Sequence, residues 1–199
     1  MLGAGFSVAS LRLTRRIRRW AQPEPLKRML MLAGGCGLAT AVIGVVSGGA
    51  TFGTGSEQAH AAVGGEPLPF FFIGKLLAGF AAMSSGILGG IFAPSLAIGA
   101  GLGSSLSSLP GASIALGAVL GMAGYFAGIV QAPMTAFVIV MEMTGHHQGV
   151  IPLMAASMLG YVTSRLISPE PLYHGLSRTF VAQSILLRRS GAKSQAAAQ

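Results

Sequence analysis

The sequence predicts an all-α, polytopic membrane protein built from short, tilted and broken helices, and three observations carry that prediction. Only 9% of the 199 residues are charged and the mean hydropathy is +0.67, whereas a soluble domain carries about 25% charged residues. Two tracts lack Asp, Glu, Lys and Arg altogether: Met29–Ser56, of 28 residues, and Leu76–Met141, of 66. A spanning helix needs about 20 residues, so the second tract must fold into several helices. Glycine and proline, 30 and 10 in number, punctuate the apolar tracts and supply the breaks.

Taken in order, Met1–Trp20 reads as a helix leaving the membrane into an arginine cluster. Gln22-Pro23-Glu24-Pro25 breaks it, and Leu26–Val46 is a full span. Ser47–Gly55, with four glycines, is a loop followed by a short helix near Glu57–Ala62. Gly64–Pro69 is a second break, and Phe70–Ser84 is a helix short for a perpendicular crossing. The break at Ser85–Gly90 leads into a helix over Phe92–Leu106. Leu109-Pro110-Gly111 turns the chain into helices at Ser113–Gly128 and Pro133–Met143, parted at Gln131-Ala132-Pro133. Beyond the polar Thr144–Gly149, Val150–Ile167 spans again. Ser168–Pro171 breaks it, Leu172–Arg188 is a last helix, and Ser190–Gln199 is polar enough to be disordered. Helices that end inside a bilayer are tolerated only where protein or an aqueous cavity satisfies their ends, which points to a channel or transporter.

The net charge of +8 is placed asymmetrically. Seven of the 13 basic residues lie in Arg12–Arg28 and four more in Arg178–Lys193, leaving Lys75 and Arg165 between them. Such clusters beside apolar spans read as cytoplasmic loops. No aromatic platform accompanies them, so a nucleic-acid partner is not expected. The basic run follows the first apolar stretch instead of preceding it, the wrong order for a secretory signal. Lys75 and Arg165 are expected near helix ends, reaching toward water. Cys36, the single cysteine, forms no intrachain disulfide and is expected as a small buried residue. Gly117, Gly121, Gly124 and Gly128 recur at intervals of four, three and four, with Gly99 and Gly103 as a shorter version. Small residues at that period let membrane helices approach closely.

Inside the long uncharged tract lies Gly89-Gly90-Ile91-Phe92-Ala93-Pro94. The glycines allow close backbone approach, and the proline suits the first turn of a helix. Free N–H groups at such a helix start hold an anion without a full cationic charge. Taken by itself, the turn reads more readily as a plain packing turn. Three further strings accompany it: Gly48-Gly49-Ala50-Thr51-Phe52-Gly53-Thr54-Gly55, Gln131-Ala132-Pro133-Met134-Thr135 with Val140-Met141-Glu142-Met143-Thr144, and Pro171-Leu172-Tyr173.

In this order and spacing the four strings resemble the CLC family of chloride channels and proton-coupled chloride transporters, from about Met1 to Arg188. The resemblance implies the second half of the CLC inverted-repeat fold, with residues 1–188 as transmembrane domain and 189–199 as a cytoplasmic tail. It implies a central chloride held by the main-chain amides of Ile91 and Phe92 and the hydroxyl of Tyr173, with Gly89, Gly90 and Pro94 forming the supporting turn. It further implies a homodimer in a bacterial inner membrane, surrounded by lipid, with no cofactor, no metal and no enzymatic activity. The bacterial assignment follows from the short tail, where eukaryotic members usually carry paired regulatory domains.

The family's first-half serine turn and its Gly-Arg-Glu-Gly-Pro turn with the gating glutamate do not occur in this sequence. No acidic residue lies between Glu66 and Glu142. A complete pore is therefore expected to need an amino-terminal half, and channel and exchanger both stay open. The alternative is a non-transporting membrane scaffold or a pore-less remnant. Glu142 fits a structural or subunit-interface role better than proton handling. His146 and His147 read as a loop pair, and His60 and His174 carry no assignment.

Overall fold

A computed structural model describes residues 2–21, 25–85, 90–107, 113–145 and 149–167. Among these, all regular structure is helical: α1 (Leu2–Ala21), α2 (Pro25–Val46), α3 (Ser56–Val63), α4 (Phe71–Ser84), α5 (Phe92–Leu106), α6 (Ile114–Val130), α7 (Pro133–Thr144) and α8 (Val150–Ile167). Helix α8 is long and apolar enough to cross a bilayer alone. The apolar stretches of α2 and α4 to α7 run from 12 to 17 residues. The expected succession of short apolar helices is therefore present. Pro25 opens α2 instead of belonging to the break before it, because a first-turn position needs no N–H. The expected breaks at 109–111 and 168–171, the helix over 172–188 and the tail lie outside the described residues, as do positions 22–24 of the break at Gln22–Pro25 and 86–89 of the break at Ser85–Gly90.

Helix α6 is the centre of the packing. It touches α1, α3, α5, α7 and α8, and its pairing with α5 is the most extensive among the described helices. The reason is the glycine stripe. A methyl built on Gly99 would stand 2.6 Å from the Gly121 carbonyl oxygen, and one on Gly103 would collide with the Gly117 carbonyl. Farther along α6, Gly124 meets Gly160 of α8, and Ser164 of α8 donates to the Gly128 carbonyl. One stripe thus serves two partners in turn. Most of the buried residues around it are small or slender, among them Ala97 and Ala100 on α5, Ala118, Val119, Ala123 and Ala127 on α6, Ala136 and Val140 on α7, with the larger Leu96, Met122 and Phe126 buried beside them. Lipid is as apolar as leucine, so close contact, not escape from water, holds such helices together.

Hydroxyl groups inside the bundle satisfy themselves. Ser7 donates to the Gly3 carbonyl at 3.0 Å, Ser84 to Phe80 at 2.7 Å, and Ser157 to Leu153 at 2.8 Å. Each returns to its own helix one turn back, so these three hydroxyls are not stranded in hydrocarbon, whereas the buried Tyr125 hydroxyl has no hydrogen-bond partner among the described residues. The outer faces are apolar. Leu30, Met31, Leu38, Val45 and Val46 stand exposed on α2, and Ile151, Leu159 and Leu166 on α8. That inversion of a soluble surface suits lipid.

The glycine-rich segment before α3 is tied inward. Gly55 takes a left-handed conformation (φ 81°), and a methyl there would lie 2.8 Å from the Ala97 Cβ and 3.0 Å from the Lys75 Cε. Gly55→Ala combines an unfavourable backbone conformation with a blocked contact. A loss of about 2–4 kcal/mol is expected from those two costs, visible as a lower melting temperature in detergent. An unchanged melting temperature would show that the segment does not pack as described.

Candidate anion site at the start of α5

Helix α5 begins without a side-chain cap. Ile91 sits at its N-cap with φ −85° and ψ −21°, and the Ile91 carbonyl accepts from the Ser95 N–H at 3.0 Å. The Ser95 hydroxyl turns back to the Phe92 carbonyl at 2.6 Å, so it does not serve the helix start. The first four N–H groups of any helix lack intrahelical partners, and the fourth position here is Pro94, which has none. The orphan donors are thus those of Ile91, Phe92 and Ala93. They point out of the helix beside Gly90, which is exposed and has open space where a side chain would stand.

Two hollows flank this turn. One, of about 70 Å³, is bordered by Gly90, Ile91, Pro94 and Ser95 together with Gly79, Ala82 and Met83 of α4 and Phe6 of α1. Another, of about 320 Å³, is bordered by Ala93 and Leu96 together with His60 of α3 and Met143 and Thr144 of α7. The smaller one has room for one or two water-sized species. The Phe92 ring meets Phe126 of α6 edge-on at 4.6 Å between centroids, which pins the helix start to the buried centre of the bundle. The turn is therefore held from one side and open on the other. Its chemistry is that of neutral donors aided by the helix dipole, suited to a small anion.

The structure brings together Gly90, Ile91, Phe92 and Pro94. Gly89 and Tyr173, also expected at the site, lie outside the described residues, as do His146, His147 and His174. Glu142 is exposed on α7, and His60 is exposed on α3. Arg165 is exposed near the end of α8, where its guanidinium donates to the Tyr161 hydroxyl. Cys36 is half-buried on α2, not buried as expected, because that helix turns much of its surface outward.

Lys75 corrects the sequence reading outright. It is not at a helix end facing water but in the second turn of α4, only 3% exposed. Its Nζ donates to the carbonyl oxygens of Thr51 and Gly53 at 2.8 Å each and to that of Phe52 at 3.5 Å. A lone cation in an apolar helix, preceded by a glycine-rich loop rich in free carbonyls, was the signal that could have found it.

Residues 1–165 match the family model described as voltage gated chloride channel. This chain belongs to that family. Among its relatives are the H(+)/Cl(−) exchange transporter ClcA of Citrobacter koseri, 31% identical over 181 residues, covering 85% of this chain and 38% of that protein. The ClcA of Yersinia pestis bv. Antiqua is 33% identical, covering 77% and 34%. A crystal structure of a CLC-type fluoride/proton antiporter superposes with a TM-score of 0.74 at 29% identity, covering 86% of this chain and 42% of that one. The chain thus spans well under half the length of these relatives. Family and helix pattern together make it a multi-pass protein of the bacterial inner membrane. The family is one of ion channels and transporters, not enzymes.

Proposed function

We propose that this CLC-family chain forms the carboxy-terminal half of a chloride-transporting membrane domain, the second of two inverted repeats, over residues 1–188. In this reading it supplies the amide part of a chloride site through Ile91 and Phe92, supported by Gly89, Gly90 and Pro94. Tyr173 adds a hydroxyl from the following segment. The working unit is a homodimer in which each pore is completed by an amino-terminal half, and residues 189–199 are a cytoplasmic tail. Chloride is the ion, by likeness to the ClcA exchangers.

The observation that carries the reading is the uncapped start of α5, where the N–H groups of Ile91, Phe92 and Ala93 have no hydrogen-bond partner among the described residues, beside a small cavity. Neutral donors in low dielectric favour a halide, yet without the full opposite charge in contact that would trap it. Conduction needs binding that is favourable and also escapable. The test is anomalous diffraction from crystals of the full-length protein grown in bromide. A bromide peak within hydrogen-bond reach of the Ile91 and Phe92 amides is expected. Clear density for α5 with bromide elsewhere and none at that turn would sink the proposal.

A further inference from the structure

Lys75 is a buried cation to which the chloride reading gives no task. Its three N–H groups meet three main-chain carbonyls in succession, those of Thr51, Phe52 and Gly53. An ammonium has three donors and no acceptor, so this cage fits the charged side chain. The cage also fixes where the charge sits. A Cβ built on Gly55, two residues past the last of these carbonyls, would stand 2.8 Å from the Ala97 Cβ and 3.0 Å from the Lys75 Cε, so the end of the lysine stem lies close to the second turn of α5. Ala97 is six residues along from Ile91, which is about 9 Å at the rise of an α-helix.

Charges buried in a membrane protein are costly, and a helix tie alone could be made by a neutral hydroxyl, as Ser105 makes to the Leu68 carbonyl at 3.1 Å. What the ammonium adds is a unit of positive charge at fixed range from the helix start. We propose that Lys75 is a positioning residue that sets the affinity of the anion site: it raises halide occupancy at the α5 start through space. The 51–53 carbonyls hold it too far away to pair with the ion. The inference rests on the α5 start being that site. Across about 10 Å at an effective dielectric of about 20, one charge changes anion affinity by about tenfold. Direct contact would bind far more tightly and slow release, so distance is part of the device. Fixing the 51–55 segment against α5 and charging the site are then two results of one side chain.

The test is calorimetric bromide titration of the full-length protein with Lys75→Met, Lys75→Gln and Lys75→Arg, each checked for a monodisperse assembly. The methionine and glutamine variants are expected to bind bromide about tenfold more weakly, and the arginine variant within about threefold of native. A purely structural tie predicts a different result, with melting temperature falling and bromide affinity unchanged in the assembled fraction. That result, or a tenfold loss in the arginine variant, overturns the inference. Should the neutral variants fail to assemble, lysine replaced by Nε-acetyl-lysine and by Nε-methyl-lysine repeats the comparison at nearly constant length. Weaker binding only in the acetylated protein supports the charge; equal binding in both overturns it. If the native protein binds no bromide at the α5 start, the site reading itself has failed, an outcome distinct from all of these.

Discussion

Gly121→Leu is expected to prevent assembly of the bundle, leaving no monodisperse peak on size-exclusion chromatography in detergent. A Cβ at that position would collide with the Gly99 carbonyl and lie 2.8 Å from the Gly103 Cα. Both obstacles are backbone, so no side chain can rotate aside. Helices α5 and α6 would have to part, and the close approach that replaces a hydrophobic driving force in lipid would be lost. Overpacking of a well-filled core costs about 1–3 kcal/mol, and more where the neighbour cannot give. Ala118, Val119, Met122 and Ala123, all buried on α6, would lose contacts at the same time. Gly35→Ala on α2 is the matched control. Nothing lies within 4 Å of its missing Cβ, and alanine is the better helix former by about 1 kcal/mol. Equal behaviour of the two variants would mean that α5 and α6 are not in backbone contact.

The same stripe marks how far the sequence could be read. Its period placed Gly117, Gly121, Gly124 and Gly128 on one face, because small residues at intervals of three and four align on a helix. The period could not say that the face is shared by α5 and α8, since a repeat fixes a face and not a neighbour. Helices α5 and α8 were legible to the residue, Phe92–Leu106 and Val150–Ile167, because proline or a polar break stands close to their ends. At Gln131 the chain leaves α6 in a left-handed conformation (φ 57°) and Pro133 opens α7, where the break was expected. Lys75 was misread for a physical reason. Its partners are carbonyls 22 to 24 residues earlier, and main-chain groups leave no trace in composition. Of the residues named for the proposed anion site, Gly90, Ile91, Phe92 and Pro94 lie in one turn by their adjacency in the chain alone, while the orientation of that turn to the two hollows depends on α1, α4 and α7.

Ile91→Pro should weaken halide binding by about ten- to a hundredfold while leaving α5 in place. A main-chain donor cannot be removed by trimming a side chain, but proline has no N–H. Position 91 tolerates it. The observed φ of −85° is near the proline range of about −65 ± 15°, and the residue before it is Gly90, the least restricted neighbour available. The Ile91 N–H precedes the first helical turn, so α5 loses no hydrogen bond. The Ile91 carbonyl, which does accept from Ser95, is retained. A hydrogen bond to a charged partner contributes about 1.5–3 kcal/mol, which sets the expected range. Ile91→Ala keeps the N–H and loses the same packing in the small cavity, so it isolates the donor. Bromide titration of both variants in the full-length protein decides the matter. An Ile91→Pro affinity within twofold of Ile91→Ala would show that this amide does not hold the ion, and the anion would have to be sought away from the start of α5.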